Sequence, residues 1–210
     1  MSPGASSSAA LPPGASSAST RQRILTATNE LFRRQGFNGT SLSQIVKASA
    51  ATTGSLYHFF PGGKDELTAE VLRTSGAAYG EFVELVIRAA ADPAQGMSDA
   101  FDGAAELLEL SGFIDPCPIG TIAREVASTH EPLRQVAAAV MNGWFDTILA
   151  IFLEAGISES AARSLASVSI ASIEGGFILA RTSGDTLAWL SIGHFLSEAI
   201  RRELPDLGDV

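Results

Sequence analysis

The sequence predicts an all-α fold, and three observations carry that prediction. Apolar residues recur every three or four positions along most of the chain, which is the period of a helix with one buried face. Period-two alternation bounded by turn residues, the mark of a β-strand, is nearly absent. Glycine and proline interrupt the helical pattern where helices should end. With 210 residues, 46% of them hydrophobic, the chain can form one or two domains with buried cores.

The first 19 residues differ in composition from the rest of the chain. Apart from Met1 and Leu11 they are all Ser, Ala, Pro or Gly. Such a segment buries too little apolar surface to offset the entropy lost on folding, so we predict a disordered tail over 1–19. It also lacks the basic start and uninterrupted apolar stretch of a signal peptide.

The first predicted helix begins near residue 20 and ends at Gly36. Ser19 and Gln22 have the spacing of an N-terminal capping box. Glycine is the usual residue just beyond a helix C-terminus. Ile24 and Phe32 lie on the apolar face of this helix, and its arginines lie elsewhere.

Two short helices follow. The second helix covers about 41–49, and Thr40 or Ser41 can cap it. After a break of three residues, Thr52 caps the third helix, which 61–63 (Pro-Gly-Gly) ends. The three helices together form a compact front unit.

A long helix opens at Lys64 and joins this unit to a larger bundle. Its predicted apolar stripe consists of Leu67, Val71, Tyr79, Phe82 and Val86. The further predicted helices are 97–110, 119–129, 133–155, 159–182 and 186–203.

Neither a membrane span nor a disulfide is expected. No uncharged apolar run approaches the roughly 20 residues that a transmembrane helix needs. Cys117 is the single cysteine, which excludes an internal disulfide and a cysteine-based zinc site. A soluble, cytoplasmic protein is the expectation.

The net charge of −9 is unevenly distributed. Residues 1–75 contain seven Lys and Arg against four Asp and Glu, which gives +3. Residues 76–210 contain seven against nineteen, which gives −12. A mildly basic front and a strongly acidic rear indicate two functions in one chain.

The segment TTGSLYHFFPGGK, from Thr52 to Lys64, ends like a phosphate-binding loop. A P-loop, however, needs glycine at position 58 and serine or threonine at position 65, directly after a strand. The chain has His58 and Asp65 there, and the preceding segment is helical. The nucleotide-binding interpretation therefore fails.

A helix-turn-helix fits the same segment. Two short helices with a tight break between them, inside a three-helix unit, place the second helix in a DNA major groove. Thr53, Gly54 and Ser55 in its first turn let the backbone approach DNA closely. Tyr57 and His58, one turn later, can reach phosphates or base edges. Leu56 and Phe60 point the other way and anchor the helix.

This part of the chain resembles the TetR family of bacterial transcriptional regulators. The matching residues are Arg23-Ile24-Leu25, Phe32, Gly36-Phe37, Thr40-Ser41-Leu42, Ile45, Gly54-Ser55-Leu56-Tyr57, Phe60, Lys64 and Glu66-Leu67. The ending FPGGK and the later CPIG (residues 117–120) are similar to the LmrA/YxaF branch, whose members often control drug-efflux genes. The resemblance implies an all-α homodimer with a small-molecule pocket in each C-terminal domain.

The resemblance also implies roles for individual residues. Thr53, Ser55, Tyr57 and Lys64 match DNA-contacting positions, and Thr52 matches the helix-capping position. The family commonly has lysine or arginine at position 53, and histidine or tyrosine where Phe59 stands. These departures predict modest affinity, or compensation from His58 and the arginines of the first helix. The full set of predicted DNA-binding residues is Thr40, Ser41, Thr52, Thr53, Gly54, Ser55, Tyr57, His58 and Lys64.

The domain boundaries follow from the same pattern. We expect a DNA-binding domain over 20–66 and an effector-binding and dimerisation domain over 67–210. The small residues between 161 and 176 permit close helix packing, and the resemblance assigns the last two helices to a four-helix dimer interface.

The rear domain combines a few large apolar residues with many Ala and Gly, a composition that can leave a cavity. Core packing is the default role of these apolar residues. Cys117 is either a small buried hydrophobe or a thiol in the pocket wall. Glu174 lies in an apolar stretch and needs a partner, either a cationic effector or solvent on an exposed face. The predicted effector-binding residues are Phe101, Cys117, Trp144, Phe145, Ile148, Glu174 and Phe177.

An enzyme is not expected. His58, His130 and His194 have no metal-ligand spacing, and no nucleophile motif is present. Nothing in the sequence unites Cys117 and His130 as nucleophile and base, and no cofactor is expected. The sequence predicts a DNA-binding regulator, most simply a repressor released from its operator by a small apolar or cationic molecule. The alternative is an architectural DNA-binding protein that ignores small molecules, and a ligand-induced change in DNA affinity would distinguish the two.

Overall fold

The computed structural model of the chain describes residues 13–113 and 117–205. Within these residues it contains nine α-helices and no strand, which confirms the all-α prediction. The helices are α1 (Pro13–Gln35), α2 (Leu42–Ala48), α3 (Thr53–Phe59), α4 (Gly63–Ala89), α5 (Pro93–Leu110), α6 (Pro118–Val126), α7 (Glu131–Glu154), α8 (Glu159–Ser183) and α9 (Leu187–Glu203).

The start of α1 differs from the prediction. The helix begins at Pro13, so Ser19 lies inside it and the predicted capping box is wrong. Proline suits the first helical position, because its missing N–H would have no partner there and its φ is already helical. Alanine and serine can then extend the helix towards residue 20. Residues 1–12 of the predicted tail lie outside the described residues.

The front unit, α1 to α3, is organised around fully buried apolar side chains. Ile24 and Phe32 of α1 meet Ile45 of α2 and Leu56 of α3, and all four are solvent-inaccessible. Gly36 ends α1 with a φ of 74°, a left-handed conformation that glycine adopts without strain. The buried face of each helix therefore fixes the direction of its exposed face.

Helix α4 links the front unit to the rear bundle, which comprises α5 to α9. Two glycines let α4 and α7 approach closely: a Cβ on Gly76 would overlap Val140, and one on Gly80 would lie 2.8 Å from Trp144 Cδ1. The indole Nε1 of Trp144 donates to the Gly76 carbonyl at 2.8 Å. Of the predicted α4 stripe, Phe82 is wrong as a core residue, because 54% of it is exposed.

The rear bundle has its own aromatic core. Trp189 of α9 is buried between Phe101 and Phe177, at ring-centroid distances of 4.8 and 4.7 Å, and its Nε1 donates to the Phe101 carbonyl at 2.7 Å. By length and composition alone, α7 and α8 could cross a membrane, with mean hydropathies of 1.7 and 1.2. Both helices pack against neighbouring helices of this bundle.

Candidate DNA-binding surface and ligand cavity

Helix α3 presents a polar face to solvent. Leu56 and Phe60 are buried and hold it against the front unit. Thr53, Gly54 and His58 are exposed on the other side, and Tyr57 is 47% exposed. A Cβ added to Gly54 would meet only the Thr52 hydroxyl, at 3.8 Å, so the backbone there is open to a large partner. The exposed face has the shape and chemistry that a recognition helix needs.

The N-termini of α2 and α3 are capped by side chains that remain exposed or half-buried. Thr52 Oγ1 accepts from the Ser55 amide at 3.0 Å. Ser41 and Gln44 form a reciprocal capping box, in which the Ser41 amide donates to Gln44 Oε1 at 2.8 Å. These hydroxyls stabilise the helix starts that would face a phosphate backbone.

Thr40 is a correction to the predicted set. It is 2% exposed, and its hydroxyl donates to the Gly36 carbonyl at 2.7 Å. This hydroxyl satisfies a backbone group at the end of α1, so the Thr40 side chain cannot reach DNA. Its role is to fix the turn before α2, and Ser41 alone caps that helix.

Lys64 is half-buried beside the Pro-Gly-Gly turn. Its Nζ lies 4.1 Å from the centroid of the Phe37 ring, a cation–π contact. Burial lowers the pKa of Lys64, while the nearby Glu125 and Asp65 carboxylates oppose that change. The ammonium group therefore lies at the junction between the front unit and the rear bundle.

The arginines of α1 that were expected to compensate for Thr53 already have protein partners. Arg21 forms an ion pair with Glu70 at 2.6 Å. Arg23 Nε donates to the Ser49 carbonyl at 3.1 Å. Both contacts brace α1 against other helices. Lys47 is an exposed cation on α2 that the sequence analysis did not single out.

A cavity of about 650 Å³ lies between α1, α4, α5, α7, α8 and α9. Four of the predicted effector residues line it, namely Phe101, Cys117, Ile148 and Phe177. The sequence analysis missed other members of its wall, including Asn29, Tyr79, Phe82 and Trp189. Mid-helix aromatics among small residues on α4 were the available signal for Tyr79 and Phe82.

Glu174 lies in a cleft of about 320 Å³ between α6 and α8, which adjoins the cavity and shares Cys117 and Phe177 with it. The Cys117 thiol and the Glu174 carboxylate both line this cleft. Burial raises the pKa of Glu174, and burial next to this carboxylate raises the pKa of the Cys117 thiol. A Cβ on Gly120 would overlap the Glu174 carboxylate. The CPIG segment is therefore shaped to receive Glu174.

Trp144 and Phe145 lie apart from the cavity, contrary to prediction. The Trp144 ring is tilted against the Tyr79 ring, at a centroid distance of 5.2 Å, and faces an open groove of about 950 Å³ between α4 and α7. Its indole N–H needs an acceptor and finds the Gly76 carbonyl, which turns the ring towards α4. Phe145 is half-buried and packs against the core.

The cavity region also contains unsatisfied polar atoms. Among the described residues, three buried side-chain oxygens have no hydrogen-bond partner: Asn29 Oδ1, Thr121 Oγ1 and Glu174 Oε1. Asn29 lines the cavity, and Thr121 and Glu174 line the cleft. Because folded proteins leave few buried polar atoms unpaired, their concentration here indicates a place for a polar ligand group or water.

Helix α6 contacts both functional regions. Thr121 and Arg124 lie in the cleft, while Glu125 Oε2 accepts from the Asn38 amide of the front unit at 2.6 Å. Just beyond α6, His130 Nε2 contacts Asp65 Oδ2 at 2.9 Å. A shift of α6 would therefore be felt at both the cleft and the turn that precedes α2. In the described part of the chain, no group of three or more His, Cys, Asp or Glu is placed to hold a metal ion.

Comparison with known proteins agrees with this arrangement. The profile of "Bacterial regulatory proteins, tetR family" matches residues 24–71, and that of "Transcriptional regulator LmrA/YxaF-like, C-terminal domain" matches residues 93–193. The chain is 33% identical to the uncharacterized HTH-type transcriptional regulator YxaF of Bacillus subtilis, over 88% of this chain and 96% of that protein. It is 32% identical to the HTH-type transcriptional regulator LmrA of the same organism, over 87% and 97%.

Solved structures share the fold. A TetR-family regulator from Cytophaga hutchinsonii superposes with a TM-score of 0.76 at 20% identity, covering 90% of this chain and 96% of that one. A TetR regulator from Chloroflexus aurantiacus gives 0.75 at 23% identity, covering 90% and 98%. These relatives are transcriptional regulators and not enzymes. The chain belongs to the TetR family of helix-turn-helix transcriptional regulators, in its LmrA/YxaF-like branch.

Proposed function

We propose that this regulator is a homodimeric repressor that leaves its operator when a small, largely apolar molecule enters the rear bundle. The 650 Å³ cavity, with an unsatisfied polar atom on its wall and two in the adjoining cleft, is the observation that carries the ligand-responsive part. A regulator of this kind acts on chromosomal DNA, so we place it in the cytoplasm. Residues 20–66 form the DNA-binding domain, extended by the first turns of α1, and 67–210 form the effector and dimer domain.

The proposed DNA contact is made by α3 in the major groove. Thr53, Tyr57 and His58 are the side chains for base edges and phosphates, because they are exposed on its outer face. Gly54 and Ser55 allow the close backbone approach. Three further residues complete the surface at its edges, and these are Ser41, Thr52 and Lys64.

The proposed dimer forms through α8 and α9. Leu187 is 73% exposed and Phe195 is 66% exposed on α9, and Ile178 and Leu179 are exposed on α8. Large apolar side chains seldom stay in water in such a group, and a second copy of the same face would cover them. Two front units would then address two half-sites about one helical turn apart.

The proposed response to ligand runs through α6 and α4. A ligand in the cavity contacts the Cys117 end of α6, and the Glu125 end of that helix contacts the front unit. A change in the angle between the two front units would lower affinity for an operator of fixed spacing. Typical couplings of this kind are about 1–3 kcal/mol.

The decisive test begins with selection of bound sequences from random duplex DNA. The recovered operator is labelled, and its affinity is measured by fluorescence anisotropy with and without members of an apolar ligand panel. We expect a ligand that binds the protein and weakens the operator complex. By linkage, the operator must weaken that ligand's binding by the same factor. DNA binding that no bound ligand changes would instead favour the architectural function.

A further inference from the structure

We propose that the cleft between α6 and α8 binds an acidic head group, so that the effector is an apolar organic anion whose body fills the cavity. This inference rests on the proposed function, because it specifies the ligand class of the same site. The cleft shares Cys117 and Phe177 with the cavity, so a single molecule can occupy both.

The charges around the cleft favour an anion. Arg124 of α6 and Arg181 of α8 both line the cleft, and Glu174 of α8 is the one carboxylate in its lining. Neither arginine forms an ion pair with another described residue. Two cations against one carboxylate leave the cleft positive even when Glu174 is ionised. A cationic ligand would have to enter beside two like charges.

The hydrogen-bonding groups agree with this sign. The Thr121 hydroxyl is buried without a partner and can donate to a carboxylate or phenolate oxygen. Burial raises the pKa of Glu174, which favours its neutral form, and a protonated carboxyl is also a donor. The arginine side chains add charge-assisted donors at the rim. An anionic oxygen is therefore the ligand group that can accept hydrogen bonds from the most donors of the cleft at once.

The outer groove between α4 and α7 provides an internal contrast. Its charged lining includes the carboxylates of Asp65, Glu66, Glu81 and Glu84 and a single guanidinium, Arg73. The groove should therefore attract a cation more strongly than the cleft does. The cleft therefore favours a negatively charged ligand and the groove a positively charged one, so varying the charge of the ligand's head group distinguishes the two sites.

The test uses three probes with one aromatic body: 2-naphthoate, 2-naphthylmethanol and 2-naphthylmethylammonium. Isothermal titration calorimetry on the full-length protein measures the affinity for each. We expect 2-naphthoate to bind about tenfold more tightly than the alcohol, a ratio that corresponds to about 1.4 kcal/mol. The ammonium probe should bind most weakly at this site. Ala104→Phe, which fills the cavity, should abolish naphthoate binding.

Matched variants on α6 and α8 locate the head group. Arg181→Gln should remove most of the preference for naphthoate over the alcohol, and Arg124→Gln should act in the same direction. Arg163→Gln is the control, because Arg163 lies on the same helix, pairs with Glu159 and does not line the cleft. Thermal melting of each variant establishes that it is folded.

The outcomes separate this inference from the proposed function. If the alcohol and naphthoate bind with equal affinity and Ala104→Phe abolishes the binding of both, the proposal of an anionic head group is wrong but the cavity still binds a ligand. Tighter binding of the ammonium probe overturns it in favour of a Glu174-directed cation. Naphthoate binding that survives Ala104→Phe places the site elsewhere and counts against both proposals, as does failure of all three probes to bind.

Discussion

The front unit and the rear bundle use their interiors in opposite ways. In the front unit the buried hydroxyls of Thr28, Thr40 and Ser49 each donate to a backbone carbonyl within 2.8 Å. In the rear bundle, Thr121 Oγ1 and Glu174 Oε1 are buried without partners. Among the described residues, the one unpaired buried oxygen of the front unit, Asn29 Oδ1, lies at the cavity wall, whereas the rear bundle contributes two such oxygens and most of the cavity lining.

This difference follows from where each region meets its ligand. DNA is bound on an outer face, so the interior of the front unit has only to hold α3 rigidly. In the proposed function a small molecule binds inside, so the rear bundle must leave a cavity and accept the loss of packing that it entails. A core mutation should therefore cost more in the front unit, and a polar mutation should matter more in the rear bundle.

The largest expected effect tests the packing side of this comparison. Phe32→Ala should lower the free energy of unfolding by about 3–5 kcal/mol, because Phe32 is fully buried in a filled core. Phe82→Ala should lower it by less than about 1 kcal/mol, because Phe82 is 54% exposed at the mouth of the cavity. Urea denaturation followed by circular dichroism measures both. Equal losses would mean that the cavity mouth is packed as tightly as the front core.

The next effect concerns the outer face of α3. Tyr57→Ala should weaken operator binding by about 1–3 kcal/mol, or about fivefold to 150-fold, if Tyr57 makes both ring and hydroxyl contacts with DNA. Tyr57→Phe should lose less, because it retains the ring. Fluorescence anisotropy on the selected operator measures both affinities. Leu153→Ala is the control for general disturbance, because Leu153 is exposed on α7, away from α3 and from the proposed dimer helices.

An operator affinity that Tyr57→Ala leaves unchanged would remove α3 as the recognition helix. Naphthoate binding should stay unaltered in the same variant, because Tyr57 lies in the front unit, away from the residues that line the cavity. A parallel loss of both activities would show that the two regions are less separate than their interiors suggest.

The fold and the front unit were largely predictable because their determinants are local. Apart from the C-terminus of α4, for which the sequence prediction gave no position, the boundaries of α2 to α9 agree with that prediction to within four residues, since caps and period are read within a turn or two. Thr52 as a cap and Leu56 as an anchor follow from the same short-range pattern. The prediction for Thr40 was wrong because the sequence contains two adjacent hydroxyls that could each cap α2. The Thr40 hydroxyl instead donates to the Gly36 carbonyl, and Ser41 is the cap.

The rear bundle was predictable in composition but not in geometry. Trp144 and Ile148 are one turn apart on α7, yet a hydrogen bond to α4 turns Trp144 away from the cavity. The charge of the cleft depends on Arg124 and Arg181 meeting across two helices that are distant in sequence. Such pairings are set by tertiary packing, which periodicity does not encode. Glu174 could be recognised as unusual, but its arginine neighbours could not.

A smaller effect is expected where the two regions join. Glu125→Ala removes the acceptor of the Asn38 amide and should cost about 1 kcal/mol of local stability, or about fivefold faster exchange of that amide. Hydrogen exchange by NMR measures it directly. Glu125→Gln retains an acceptor oxygen, so the Asn38 amide should exchange more slowly in this variant than in Glu125→Ala. Glu131→Ala is the control, because Glu131 pairs within α7 with Arg134. Identical Asn38 exchange in all variants would exclude the contact.

The smallest effect is a pH dependence that belongs to the rear bundle alone. Burial raises the pKa of Glu174 above its ordinary value of 4.5, whereas the Cys117 hydrogen bond and the Arg124 charge oppose the increase. The folded state therefore retains this proton more strongly than the unfolded state does, and the stability that it contributes is present at low pH. That contribution is lost as the pH rises through the folded-state pKa. Glu174→Gln, which is neutral at every pH, should thus gain stability relative to the wild type as the pH increases above 4.5. Thermal melting of both proteins across this range measures the difference.

The front-unit variant Thr53→Ala, which alters no titrating group, should show no such trend. A difference between Glu174→Gln and the wild type that is constant with pH would mean that Glu174 has the same pKa in the folded and unfolded states. In that case burial would not disfavour the Glu174 carboxylate, and the contrast between the front unit and the rear bundle would narrow at the cleft that contains Glu174.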